Sequence, residues 1–183
     1  MKTITRTDGG FPSRGWFDAM VAAAVLLAGT GSATALQAQQ DAAVARAVER
    51  VVPSIIQARH TIHQNPELGN REVKTAAMIA SHLRSLGIEV RTGVAHTGVV
   101  GVLRGKRPGP VVAVRADMDA LPVTEDTPYP FRSTVRTTYL GKEVGVSHAC
   151  GHDIHVAVQM GVASVLASMV DQLPGTVVFI FQP

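Results

Sequence analysis

Three histidines and the single cysteine of the chain fall within one short segment, His148-Ala149-Cys150-Gly151-His152-Asp153-Ile154-His155. On an extended segment, side chains two residues apart point to the same side, so the Cys150 thiolate and a His152 ring nitrogen could reach one ion. Thiolate and imidazole together suit zinc, with manganese, cobalt or nickel as alternatives. A helix predicted to begin near Asp153 would stabilise the thiolate with its positive end. The segment therefore predicts a metal site with Cys150 and His152 as ligands.

Two other interpretations of this segment stay open. Cys150 could be a small buried hydrophobic side chain beside solvated histidines. It could also be a nucleophile that a neighbouring histidine activates. Because residues of these types packed so closely more often converge on a metal, the metal site is the hypothesis that we carry forward.

A second polar group, Arg115-Ala116-Asp117-Met118-Asp119-Ala120-Leu121-Pro122, follows an apolar run at Val111–Val114. The apolar run predicts a strand buried on both faces, and in open α/β sheets ligands bind beyond the carboxyl ends of strands. Asp117 is therefore placed to bridge metals or to fix the tautomer of a metal-binding histidine. Since Asp117 and Asp119 alternate in direction, we expect only one of them to face the site. For an isolated pair of aspartates, a turn cap would be the alternative.

The other histidines give weaker signals. His60 and His63 are three residues apart on a predicted helix that Pro66 ends. We interpret them as a helix end packed on the sheet, without a ligand role. His82 and His96 have no polar cluster around them and are given no role.

Hydrophobic periodicity predicts the elements that must position these groups. Three helices are expected, at residues 41–65, 71–86 and 153–169, with Gly87 as the cap that follows the second. The apolar face of the second helix is expected at Val73, Ala76, Ala77, Ala80 and Leu83, and that of the third at Ile154, Val158, Gly161, Val162, Val165 and Met169. Strands are expected at residues 88–91, 98–104, 111–115 and 176–181, and a long irregular excursion at 122–140. This order predicts an α/β sandwich with a largely parallel central portion.

Residues 1–38 have the layout of a secretory signal peptide. Lys2, Arg6 and Arg14 precede an apolar stretch at 19–28 and small residues at 29–38. Ala33-Thr34-Ala35 is one candidate cleavage site, and Leu36-Gln37-Ala38 is a weaker second. An uncleaved anchor is the alternative, but the apolar run is about half of the ~20 residues that a spanning helix needs. We expect residues 39–183 to form the mature part, exported to the periplasm or secreted, with no membrane association after cleavage.

Charge and aromatic content argue against nucleic-acid binding. The formal net charge is only +3 at pH 7, and the two Tyr, one Trp and five Phe are scattered along the chain. A nucleic-acid surface needs a basic stripe or an interleaved stacking platform, and neither pattern is present.

These segments, in this order, resemble the amidohydrolase branch of the metal-dependent aminoacylase and carboxypeptidase superfamily. That branch includes hippurate hydrolase, N-acyl-amino-acid amidohydrolases and the hydrolases of indole-acetyl-amino-acid conjugates. The resemblance covers roughly residues 45 to 183 and is carried by Arg59-His60 with Pro66-Glu67-Leu68-Gly69, the Asp117 segment, His148-Ala149-Cys150-Gly151-His152-Asp153, and Phe181-Gln182-Pro183.

The resemblance implies an α/β/α sandwich of the zinc-exopeptidase type that binds two divalent metal ions. It implies that Cys150 and His152 are metal ligands and that Asp117 is the catalytic carboxylate of the site. It also implies hydrolysis of small-molecule N-acyl amino acids by a homodimer. The general-base glutamate, the remaining ligands and the inserted dimerisation domain would lie beyond Pro183, so we expect the 183-residue chain alone to be an inactive N-terminal part of the catalytic domain.

Two rival functions remain. A dipeptidase or carboxypeptidase of the same superfamily is the nearer rival, although the Cys-Gly-His-Asp motif is specific to the amidohydrolase branch. A non-catalytic metal-binding module is the rival from a different class.

Overall fold

A long helix leads into the part of the chain that carries the predicted site. In the computed structural model, the backbone is described for residues 15–183 and the side chains for residues 37–183. Most of the predicted leader, residues 1–38, therefore lies outside the residues whose side chains are described. Contacts divide the chain into residues 1–44 and residues 45–183, and the predicted site lies in the second unit. Within the described part of the chain, no helix has the length and apolar character needed to cross a bilayer.

The helices and strands follow the predicted order closely. The helices are α1 (Gly15–Gln64), α2 (Val73–Ser85) and α3 (His152–Ser168). The strands are β1 (Glu89–Val94), β2 (Gly98–Arg104), β3 (Arg107–Asp117), β4 (Arg136–Tyr139), β5 (Lys142–Gly145) and β6 (Pro174–Gln182). Pro53 lies inside α1 without ending it, whereas the helix stops two residues before Pro66.

The cap predicted at Gly87 is present and ends α2. Gly87 has a φ of +74°, a left-handed conformation that costs little only for glycine. Its N–H donates to the Arg84 carbonyl at 3.0 Å, and the Ile88 N–H donates to the Leu83 carbonyl at 3.1 Å. These two bonds form a Schellman motif that turns the chain from α2 into β1.

Four strands form a mixed sheet in the order β1-β2-β6-β3. The pairs β1–β2 and β2–β6 are antiparallel, and only β6–β3 is parallel. The expectation of a largely parallel central portion is therefore wrong for the described residues, because the hairpin of β1 and β2 returns the chain antiparallel beside β6. The predicted site lies at the end of the parallel pair, because Asp117 is the last residue of β3 and α3 precedes β6.

The core lies between one face of this sheet and the helices. Val99, Leu103, Val177, Phe179 and Phe181 alternate along β2 and β6 and are buried against all three helices. Ile62, Ile79, Leu83, Val156 and Met160 supply the helical side of this cluster. The described residues thus form the sheet and one helical layer of an α/β/α sandwich.

Two predictions of burial are wrong. On α3, Gly161 and Val165 are buried as predicted, but Ile154 is 48%, Val158 57% and Val162 39% exposed. The buried face also contains residues that were not predicted, Val156, Ala157, Met160 and Ala163. Because α3 is apolar on nearly all sides, periodicity did not distinguish the face that packs on the sheet. On α2 fewer of the predicted positions are wrong: Val73 is 66% exposed and Ala77 is exposed, while Ile79, which was not predicted, is buried.

The third wrong prediction concerns β3, which was expected to be buried on both faces. Val111 is 71% exposed and Val112 is 50% exposed. Among the described residues, β3 pairs only with β6 and forms an edge of the sheet. The apolar run identified a strand correctly, but burial depends on what covers that strand.

The predicted irregular excursion contains one small hairpin. β4 pairs antiparallel with β5, and isolated bridges connect Leu68 with Ala120 and Leu121 with Ser147. Leu68, Ala120 and Val146 form a second, smaller apolar cluster. This cluster fixes the segment after Asp119 against the turn that leads to the Cys-Gly-His-Asp motif.

Candidate metal centre

The predicted site forms where the two parallel strands end. Asp117, the last residue of β3, is in register with Gln182, the last residue of β6. His152 is the first residue of α3, and Gly151 before it has a φ of +86°. The sheet edge and the helix start therefore bring the two motifs together, as expected for a ligand site beyond the carboxyl ends of strands.

Both aspartates of the first motif contact His152. The His152 Nδ1–H donates to the backbone carbonyl and to Oδ1 of Asp119, each at 2.9 Å. On the opposite side of the ring, Nε2 lies 3.4 Å from Oδ2 of Asp117. The expectation that only one aspartate faces the site is therefore wrong, because β3 ends at Asp117 and strand alternation does not continue to Asp119.

These contacts fix the tautomer of His152. A carbonyl oxygen can only accept a hydrogen bond, so the proton lies on Nδ1 and the Nε2 lone pair faces Asp117. Metal-binding histidines are held in this way, with the second nitrogen donating to a carbonyl or carboxylate. Asp119 is the tautomer-fixing group that the sequence had placed at Asp117.

Asp117 is placed between cationic and imidazole groups. His155 Nδ1 lies 2.6 Å from Asp117 Oδ1, and Arg115 Nη1 lies 3.3 Å from Oδ2. Partial burial acts to raise the pKa of Asp117, but the hydrogen bond from His155 and the positive charge of Arg115 help to outweigh it, so the pKa is lowered. Asp117 is therefore ionised at neutral pH and available to a cation.

Three of these side chains are arranged as metal ligands. One donor atom from each of Asp117, His152 and His155 lies within 4.8 Å of the other two. Two imidazoles and a carboxylate are donors that zinc and manganese both accept. The donor set, together with the oriented His152 ring, fits a divalent metal. His155 received no individual role from the sequence, although its position three residues after His152 on a helix places it on the same face.

Cys150 is close to this group in sequence but differs from the expected geometry. It is exposed and lies in a turn, and Gly151 after it is left-handed. The pairing of Cys150 with His152 was predicted for an extended segment. The prediction of an extended segment is therefore wrong. Its role as a ligand stays a prediction, and it is separate from the three side chains that converge.

Several buried polar side chains lie close to the first turn of α3. His148 is 5% exposed, and burial lowers its pKa to about 4, so it is neutral at pH 7. Both ring nitrogens of His148 and Oδ1 of Asp153 are buried without a partner among the described residues. Water or a bound ion normally satisfies such atoms. His63, predicted as a packed helix end, is also buried here, with carboxylate partners that the sequence did not indicate.

Comparisons with known proteins agree with the family resemblance predicted from the motifs. Residues 113–183 match the model of the family described as Peptidase family M20/M25/M40. The chain is 48% identical over 137 residues to thermostable carboxypeptidase 2 of Saccharolobus solfataricus, covering 74% of this chain and 33% of that protein. It is 39% identical over 139 residues to the N-acyl-L-amino acid amidohydrolase of Geobacillus stearothermophilus, covering 76% of this chain and 35% of that protein.

A solved structure shows the same fold. The dinuclear metal-binding peptidase of the M20 family from Bacillus subtilis is 40% identical, with a TM-score of 0.65, and the match covers 74% of this chain and 36% of that one. The chain thus spans about a third of the length of the curated relatives that it matches. These matches confirm the resemblance predicted from the motifs: residues 113–183 match the model of Peptidase family M20/M25/M40, and the chain is similar to an N-acyl-L-amino acid amidohydrolase.

Proposed function

We propose that the full-length protein hydrolyses the amide bond of N-acyl amino acids in a metal-dependent reaction. The observation that carries this proposal is the convergence of Asp117, His152 and His155 at the carboxyl ends of β3 and β6. The similarity to an N-acyl-L-amino acid amidohydrolase supports the substrate class. The similarity to a dinuclear metal-binding peptidase supports two divalent ions, which we propose to be zinc or manganese.

In this proposal four residues of the two motifs have defined roles. Asp117 and His152 bind metal, Cys150 contributes a thiolate from the adjoining turn, and Asp119 keeps the Nε2 lone pair of His152 directed at the site. A divalent ion held by these residues would acidify a water molecule and polarise the scissile carbonyl. The base that removes the water proton is proposed to be a glutamate outside residues 1–183, as the resemblance implies.

The test measures glycine release from hippurate by the full-length protein. We expect turnover that a chelator abolishes and that added zinc or manganese restores. Cys150→Ser should lower both metal content and turnover, whereas Ala149→Ser, an exposed neighbour in the same turn, should leave both unchanged. Turnover that survives complete metal removal would contradict the proposal.

A second candidate function is carboxypeptidase activity, which the 48% identity to thermostable carboxypeptidase 2 favours. Comparing hippurate with peptides that carry a free amino terminus would separate the two functions. Preference for the peptides would favour the carboxypeptidase. Metal binding without turnover of either substrate would favour a non-catalytic metal-binding module.

Location and assembly are part of the proposal. We propose that residues 1–38 direct export and are removed, and that the mature full-length protein is a homodimer. Sequencing the amino terminus of the exported protein tests the first statement, and sedimentation of the purified protein tests the second.

A further inference from the structure

A network of buried polar side chains adjoins the candidate metal centre and connects three distant parts of the sequence. His63 lies near the end of α1, Glu125 in the segment between β3 and β4, and Asp153 in the first turn of α3. His63 Nδ1 lies 2.8 Å from Asp153 Oδ2, and His63 Nε2 lies 3.0 Å from Glu125 Oε1. Arg59 Nε donates to the same Asp153 oxygen at 2.8 Å.

Within this network, Asp153 is the residue closest in sequence to the predicted metal ligand His152. It directly follows His152, and it is only 1% exposed. A buried carboxylate is costly unless it is paired and hydrogen-bonded, and removing one partner leaves an uncompensated charge. Asp153 is therefore fixed to α1 by the two donors Arg59 and His63, and this contact also fixes the backbone of its neighbour His152.

The start of α3 lacks the usual alternative anchor. Its N-cap residue is Gly151, so no side chain caps the first turn. That same turn carries His152, and His155 follows three residues later on the same face. Because a side-chain cap is absent, the first turn is held by two other sets of side-chain contacts: those of His152 with Asp119, and those of Asp153 with Arg59 and His63.

We propose that His63 is a positioning residue of the metal centre, which acts through Asp153 to hold the first turn of α3 where His152 binds metal. This inference rests on metal binding in the proposed function and adds a residue that lies 89 positions before His152 in the sequence. His63 itself does not touch the metal ligands. Its effect passes through the Nδ1 contact with Asp153, while the Nε2 contact with Glu125 holds the segment between β3 and β4.

Two substitutions test the two contacts of His63 separately. The amide nitrogen of asparagine lies approximately where Nδ1 does, and that of glutamine approximately where Nε2 does. His63→Asn therefore keeps the contact with Asp153, and His63→Gln keeps the contact with Glu125. The matched control is His82→Gln, because His82 also contacts α3, through the Met160 carbonyl at 3.1 Å and Ser164 Oγ at 3.0 Å, but farther along the helix.

The measurement is the zinc affinity of the full-length protein, by competition with a chromophoric chelator, together with thermal melting. We expect His63→Gln to weaken zinc binding about tenfold, the lower end of the range found when direct partners of metal ligands are removed, because His63 acts through Asp153. His63→Asn should bind within about threefold of the unsubstituted protein, giving the rescue that a purely structural role would not give. His82→Gln should lower the melting temperature and leave zinc affinity unchanged.

Several outcomes would overturn the inference. Unchanged zinc affinity in His63→Gln, equal losses in both His63 variants, or an equal loss in His82→Gln would each do so. If His63→Gln fails to fold, Arg59→Gln removes the other donor to Asp153 from a partly exposed position, and unchanged zinc affinity there would equally overturn it. An unsubstituted protein that binds no zinc would overturn the proposed function as well, whereas normal binding with unaffected variants removes only the role of His63.

Discussion

At the scale of single residues, His152 is defined by what lies on each side of its ring. Asp119 accepts the Nδ1–H through its carbonyl and its carboxylate, and Asp117 faces Nε2. In the proposed site the two aspartates therefore have different roles: Asp119 orients the His152 ring, and Asp117 lies beside Nε2. This division follows from which atoms can donate and which can only accept.

The orienting role of Asp119 predicts a loss of metal affinity. Asp119→Ala removes the carboxylate and leaves the backbone carbonyl, so zinc binding by the full-length protein should weaken about tenfold. Competition with a chelator measures the change. Asp126→Ala removes an equal charge from an exposed position in the neighbouring segment and should leave affinity unchanged. Equal effects of the two substitutions would contradict the role of Asp119.

Glu125 predicts a dependence of stability on pH. Burial acts to raise the pKa of Glu125, but hydrogen bonds from Thr127, His63 and the Ser133 N–H outweigh it and lower the pKa from 4.5 to about 2. A carboxyl whose pKa is lowered by folding stabilises the protein above its unfolded pKa. That stabilisation, up to about 3 kcal/mol, is lost as the pH falls from about 4.5 to about 2.

The experiment compares unfolding free energies from urea titrations over this range. Glu125→Gln should be less stable than the unsubstituted protein near pH 6, and the difference should shrink as the pH approaches 2. Glu143→Gln is the control, because the ion pair of Glu143 with Arg136 is exposed and contributes less than about 1 kcal/mol. A difference for Glu125→Gln that stays constant with pH would exclude the predicted pKa.

At the scale of elements, the turn before α3 sets the geometry of the site. Gly151 adopts a φ of +86°, and a Cβ built there would have no atom within 4 Å. Substitution therefore causes conformational strain without a steric clash. That strain falls between Cys150 and His152, the two residues predicted to bind metal from the sequence.

Gly151→Ala should lower the unfolding free energy by about 1–2 kcal/mol, the cost of a left-handed conformation for a residue with a Cβ. Gly87→Ala is a matched control, since Gly87 has a φ of +74° and equally open surroundings but lies at the end of α2. Both variants should lose similar stability in urea titrations, and only Gly151→Ala should also bind zinc more weakly. Weakened binding in Gly87→Ala would show that the effect is global.

At the scale of the whole molecule, β3 leaves an apolar edge. Val111 is 71% and Val112 50% exposed, and among the described residues no strand pairs with their outer side. Pro108 and Pro110 protect the first part of this edge because proline cannot donate to a new strand. The valines that follow have no such protection, and exposed apolar edges promote association between chains.

We therefore expect residues 39–183, prepared alone, to associate at micromolar concentration. Val111→Lys should reduce that association, because a lysine on an edge opposes strand pairing. Leu140→Lys is the control: Leu140 is 84% exposed but lies in the turn between β4 and β5, outside the strands. Light scattering against concentration distinguishes the two variants. Equal effects would indicate that general apolar exposure, rather than the β3 edge, drives association.

The sequence by itself determined the elements and the chemical character of the site. Periodicity located α2, α3 and the end of α1, because apolar spacing follows the helical repeat, and glycine and proline marked several ends. It missed the start of α1, which lies at Gly15 and not near residue 41. The density of histidine and cysteine around His152 indicated metal chemistry, since few other functions need those side chains so close together. The position of Asp117 at the carboxyl end of β3 was predicted because Asp117 comes soon after an apolar run.

Only the tertiary structure decided which side chains meet. The faces of α3 could not be predicted because the helix is apolar on nearly all sides, and the exposure of β3 depends on its neighbours rather than on its own residues. The contact of Asp119 with His152, and that of His63 with Glu125 and Asp153, join positions 33 to 90 residues apart. Local spacing carries no information about such contacts, because they form only when the sheet and helices pack.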